Sequence, residues 1–198
     1  MESEFFFTIA AATEGIYKEK GSKFMAFAYP VNSEEEVKEK VEVLRRKYFD
    51  ARHHCYAYRL GATGEQYRAV DDGEPANSAG KPILGQLTAY NVTNVLVVVV
   101  RYFGGTLLGV GGLMQAYRHA TADALANAGI ITGAVTGTYQ ISFSYPAMNQ
   151  VLKVVKDMDL ECYAQNFDLT CTMNVKVRKS LVEQLKKRLE HVEVRITE

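Results

Sequence analysis

The chain has 198 residues, is 47% hydrophobic, and carries 23 basic and 23 acidic residues for a formal net charge of zero. Such a balance excludes global disorder and a strongly basic nucleic-acid protein, while leaving room for a local basic face. Cys55, Cys162 and Cys171 form no CxxC pair, which excludes a disulfide framework or zinc finger and fits a reducing compartment.

Glu2 and Glu4 stand where a signal peptide needs cations. The longest aliphatic run, Val95 to Val100, is too short to span a bilayer. A cytoplasmic protein with no membrane partner is expected. Residues 4–10 and 23–29 read as strands, with Gly15 and Gly21 near the turn between them. Ser33 and Glu36 have capping-box spacing, and Val37, Val41, Leu44 and Tyr48 recur at helical intervals. In "ARHHCYAYRL", His54, Tyr56 and Tyr58 share one strand face while His53, Cys55 and Ala57 share the other. A strand near 66–70 and the polar loop "DDGEPANSAG" lead to a helix from about Lys81, with Pro82 in its first turn. Val95 to Val100 shows no alternation and reads as a strand buried on both faces; a long helix follows, from about Leu113 to Asn127.

The pattern restarts after Gly129. Tyr139, Ile141, Phe143 and Tyr145 alternate, a helix spans about 146–158, strands fall near 160–166 and 168–177, a helix near 179–190, and a strand at 191–197. That β-α-β-β-α-β order is the ferredoxin-like arrangement. The expected fold class is α+β in two domains, 1–130 and 138–198, with the boundary in the small-residue stretch 131–137.

"RYFGGTLLGVGGLMQAY" places five glycines between the buried strand and the long helix. Gly104 and Gly109 lack the lysine and hydroxyl residue of a Walker A loop, and Met114 occupies the last glycine position of a dinucleotide fingerprint. What remains is a loop followed by a helix N-terminus, a natural anion site, and "NSAGKP" repeats that situation beside Lys81. Glycines that merely allow tight turns explain the same residues.

"DARHHCYAY", "DDGEPANSAGKPIL" and "VVVVRYFGGTLLGVGGLMQAY" resemble the signature of the YigZ/Impact family, in order, over about Asp50 to Tyr117. Asn77-Ser78 departs from the more usual Gly-Thr. The resemblance implies an N-terminal ribosomal protein S5 domain 2-like fold, as in domain IV of elongation factor G, and a ferredoxin-like C-terminal domain similar to its domain V. Eukaryotic Impact proteins act in translational control through an additional N-terminal module, so their kinase-directed role is not carried over. Bacterial-type members are usually linked to nucleic-acid or ribosome binding.

Arg52, Arg59, Arg68, Lys81, Arg101 and Arg118 fall between 51 and 118, with Tyr56, Tyr58, Tyr67, Tyr102 and Phe103 as stacking surfaces. Ordinary ion pairs and half-buried aromatics are the plainer account of them, since surface ion pairs are common. His53 and Cys55 alone are too few for zinc, and Asp71, Asp72 or Glu74 would have to complete a set; neither metal nor cofactor is expected. Between 146 and 198, nine Lys/Arg face eight Asp/Glu, so no net field attracts a polyanion there. The sequence thus points to a binder of RNA or a ribosome-associated partner, using Arg52, His54, Lys81, Arg101 and the amides of Gly104, Gly105, Gly111 and Gly112. Two rivals stand: an enzyme on a phosphorylated small molecule, with Asp71, Asp72 and Glu74 in its cleft, and a protein–protein adaptor in translation control.

Overall fold

A computed structural model describes residues 4–168 and 170–198. The chain divides into two compact units, one running to Gly133 and one from Ala134 to Glu198. The first holds β1 (Phe5–Ile9), β2 (Thr13–Glu19), β3 (Ser22–Pro30), α1 (Glu34–Lys47), β4 (His53–Leu60), β5 (Gln66–Val70), α2 (Gly80–Ala89), β6 (Val95–Tyr102), α3 (Gly109–Asn127) and β7 (Ile130–Ala134).

Five strands form an antiparallel sheet in the order β2-β3-β6-β4-β5. The central strand β6 is apolar at every position to Val100 because both of its faces are covered. Val95, Val97 and Val99 pack with Ile83 and Leu87 of α2 and Leu113, Ala116 and Tyr117 of α3. Leu96, Val98 and Val100 meet Val37, Val41 and Leu44 of α1 on the other side. Ser33 caps α1 as its spacing requires, its Oγ accepting from the Glu36 amide at 3.3 Å.

Two departures from the sequence expectation have physical causes. Thr13–Glu19 is a strand rather than a turn region, although Gly15 lies inside it. A Cβ at Gly15 would come within 2.3 Å of the Ala124 amide nitrogen, so the glycine admits α3 against β2. The stretch expected as a linker is mostly strand: β7 pairs with β1, which closes a separate two-stranded ribbon.

The second unit contains β8 (Thr136–Ser144), α4 (Met148–Asp157), β9 (Glu161–Phe167), β10 (Thr170–Arg178), α5 (Val182–Leu189) and β11 (Val194–Thr197). Its sheet order, β11-β8-β10-β9, is that of a ferredoxin-like domain. Ile141, Phe143, Met173, Val175 and Val177 pack beneath Val151, Val155, Leu185 and Leu189 of the two helices. No described helix is long and apolar enough to cross a membrane.

Candidate ligand-binding cavity

The loop between β5 and α2 is shaped by its own carboxylates. Asp72 and Asn77 hold positive φ angles of 43° and 63°, turning the chain twice. The Asp71 carboxylate accepts from the amides of Asn77, Ala79 and Gly80 at 2.8, 3.0 and 2.8 Å. It therefore does for α2 what the N-cap residue Ala79 has no side chain to do. Asp72 accepts from Arg45 Nη2 at 2.7 Å and from the His54 amide at 2.6 Å. Burial pushes its carboxyl pKa up, but those hydrogen bonds outweigh burial and hold it below the usual range.

Glu74 is the third acid and the most enclosed. Its side chain is 3% exposed and that of Arg101 is 7% exposed, with Arg101 Nη1 donating to Glu74 Oε1 at 2.6 Å. Tyr117 donates to the same oxygen at 2.8 Å, and the Cys55 thiol lies 3.2 Å from the Tyr117 hydroxyl. Burial raises the Cys55 thiol and the Tyr117 phenol far above their usual ranges, so neither serves as a nucleophile or base near neutrality. The three carboxylates that the rival enzyme reading would use are thus hydrogen-bonded within the chain. No group of three or more potential ligands for a metal ion occurs among the described residues.

The start of α3 is different. Its N-cap residue, Leu108, makes no side-chain cap. The first-turn amides of Gly109, Val110 and Gly111 have no intrahelical acceptor. Gly109 and Val110 line a cavity of about 420 Å³ together with Arg52, His53, Glu74, Pro75, Arg101, Phe103, Leu107, Leu108 and Leu113, whereas Gly111 lies outside the lining. Arg101 crosses the base of the cavity with the guanidinium carbon 5.4 Å from the Phe24 ring centroid and 5.7 Å from that of Phe103. Its Nε is buried without a partner. Arg52 is exposed and has no ion pair among the described residues. His53 Nδ1 sits 2.9 Å from the Asp72 carbonyl; a carbonyl only accepts, so this nitrogen carries the hydrogen.

The cavity gathers Arg52, Arg101 and Glu74 from the residues expected in the site, and leaves out the others. His54 points to the opposite side of β4, where it is 4% exposed, and burial with the nearby Arg45 charge lowers its pKa. It is a neutral core group, not an anion ligand; the neighbouring His53 takes the cavity position. Lys81 is exposed on α2 and absent from the lining, and the amides beside it are already bonded to Asp71. Gly104 donates its amide to Ser22 Oγ at 3.1 Å, and a Cβ there would fall 1.9 Å from the Gly21 carbonyl carbon. Close approach to the β2–β3 turn, not ligand contact, is its role. Gly105 holds φ at +90° in an exposed turn. Gly112 begins the intrahelical hydrogen-bond pattern, so its amide is not free. Arg101 remains, but as a charge balanced by Glu74.

The sequence did not single out the apolar wall of Leu107, Leu108, Val110 and Leu113. Two leucines between glycines in a loop were the available signal: Leu107 is 84% exposed and Phe103 55%.

Fold and cavity define a two-domain α+β protein whose first domain carries the cavity. The Impact N-terminal domain matches residues 20–125, more than half of the chain. The chain belongs to the IMPACT family. It is 44% identical over 120 residues to the IMPACT family member YigZ of Escherichia coli (strain K12), which covers 59% of this chain and 59% of YigZ. It is 31% identical over 146 residues to YvyE of Bacillus subtilis (strain 168), covering 74% of this chain and 67% of YvyE. A crystal structure of a hypothetical protein superimposes with a TM-score of 0.78 at 29% identity, covering 98% of this chain and 97% of that one. The two-domain α+β fold is shared with that solved structure.

Proposed function

We propose that this protein acts in translation control by binding RNA, free or on the ribosome, through the cavity of its N-terminal unit. One observation carries the reading: the uncapped start of a 19-residue helix opens beside an unpaired arginine, Arg52, and an exposed aromatic ring, Phe103. Amides and guanidinium suit a phosphate, and the ring suits a base. Membership of the IMPACT family supports the translational setting, and with it a cytoplasmic location. An enzyme reading finds less support, because Asp71, Asp72 and Glu74 are all engaged elsewhere. A protein partner in translation control is the second reading, favoured by the exposed Leu107 and Val110.

The test is binding of a labelled single-stranded RNA ten-mer by fluorescence anisotropy across a salt series. Arg52→Ala should weaken binding about tenfold, the loss of one charge-assisted contact. Lys187→Ala, on α5, should leave it unchanged. Equal affinity of Arg52→Ala and the parent chain would overturn the reading. Arg101→Ala is a poorer probe, since it strands Glu74 in the core. We also propose that residues 1–130 and 138–198 fold as separate domains, so that limited proteolysis cuts first within 131–137.

A further inference from the structure

We propose that the cavity takes a single nucleotide unit, with its base against the apolar wall and its phosphate on Arg52 and the first-turn amides of α3. This inference rests on the RNA reading and narrows it.

Size is the first ground. A volume of about 420 Å³ lies in the ~300–1,000 Å³ range of pockets that enclose one small molecule. Strand-binding grooves differ, repeating a cation and an aromatic platform for each successive base. Here the repeat is missing. Lys81 lies outside the lining, and so does Tyr67, an exposed aromatic on β5.

Chemistry is the second ground. The wall formed by Phe103, Leu107, Leu108, Val110 and Leu113 offers no hydrogen bond to a sugar–phosphate chain but suits the flat face of a base. Charge is confined to one end of the ligand's needs. Arg101 is balanced by Glu74, so Arg52 and the helix amides are left to meet one anion. Arg101 frames the same cavity without supplying free charge. Its side chain is only 7% exposed, it lines the cavity, and its Nε has no partner.

A nucleotide unit could come from a free nucleotide, a strand end or an unstacked internal base. Calorimetry on the full chain separates these sources, using adenosine 5′-monophosphate, ribose 5-phosphate, and an RNA ten-mer with either a 5′-phosphate or a 5′-hydroxyl. The expected result is binding of the nucleotide at least tenfold tighter than ribose 5-phosphate. The ten-mer should show a log–log salt slope of about −0.7 to −1.4, one or two phosphate contacts. A preference for the 5′-phosphorylated ten-mer assigns a strand end; equal binding of both ten-mers assigns an internal base. Nucleotide binding without ten-mer binding keeps the single-nucleotide site and removes the RNA reading. Leu107→Asp should weaken the nucleotide and ten-mer alike by tenfold or more with an unchanged melting temperature, since Leu107 is 84% exposed.

Ten-mer binding with a slope steeper than about −3, or with no nucleotide binding, overturns the single-nucleotide site and leaves the RNA reading standing. Ribose 5-phosphate binding as tightly as the nucleotide also overturns it. Failure of every RNA and nucleotide ligand removes both.

Discussion

The helices α2 and α3 both leave glycine-bearing loops of the N-terminal unit, and both point a set of first-turn amides out of the helix. At α2 the chain supplies its own anion, because Asp71 reaches back to three amides. At α3 it supplies none, and the segment 102–112 contains no aspartate or glutamate. One helix start is therefore a closed structural joint, and the other has no side-chain cap. The difference teaches that a glycine-rich loop keeps its helix-start amides available only where it does not already hold a competing carboxylate.

The severest way to break this contrast is to disturb the charge between the two helices. Glu74→Ala should cost about 3–5 kcal/mol in urea unfolding, because it leaves Arg101 buried without a counter-charge. A loss below about 1 kcal/mol would mean that the pair is not enclosed as described. Next comes the closed joint itself: Asp71→Ala should cost about 2 kcal/mol, the upper end for an N-cap, since three amides lose their acceptor.

The open joint should respond in the other direction. Gly111 has nothing within 4 Å of a built Cβ, so Gly111→Glu should fit. It should stabilise the fold by about 1 kcal/mol through helix propensity and the helix dipole. The same change should weaken anion binding, and unchanged phosphate or RNA affinity would argue against the amides as ligands. A valine at Gly111 meets no steric block in the fold.

Acid should separate the two joints more gently. Asp72 has a depressed folded-state pKa, so its contribution is complete above the unfolded value of about 3.9 and lost as pH falls through the folded value. His54 is a base with a depressed pKa, so its neutral form is favoured in the fold. Stability should begin to fall below its unfolded value, about 6.5, and keep falling towards the folded one. Melting temperatures from pH 7.5 to 4.5 for the parent and His54→Gln should diverge below about pH 6.5. Smallest of all, Lys81→Ala should change stability by less than about 0.5 kcal/mol and leave ligand affinity alone.

The elements were legible wherever burial imposes a pattern. The unbroken valines of β6, the Ser33 cap and the ferredoxin-like order all follow from local rules. Gly15 hid β2, because a glycine that admits a helix backbone looks in sequence like one that makes a turn. The site was legible as two loops, not as contacts. That His53 rather than His54 faces the cavity depends on the register of β4 against β6, where a one-residue slip exchanges the faces. The pairing of Glu74 with Arg101 spans 27 residues and is fixed by the sheet, so no spacing rule reveals that the arginine's charge is already matched.

The ribbon of β1 with β7 bears on how the chain is made. β1 lies at residues 5–9, and its partner strand emerges ~125 residues later, at 130–134. At ordinary elongation speeds of ~5–20 residues per second, the first strand waits on the order of 6–25 s for its mate. Throughout that interval β7 is missing, while the sheet from β2 to β6 can already assemble and Phe7 can meet Val92 and Thr93. The β1–β7 ribbon is therefore completed only after the strands of the main sheet have been made. A nascent chain halted shortly before Ile130 should expose β1 to chaperones and proteases.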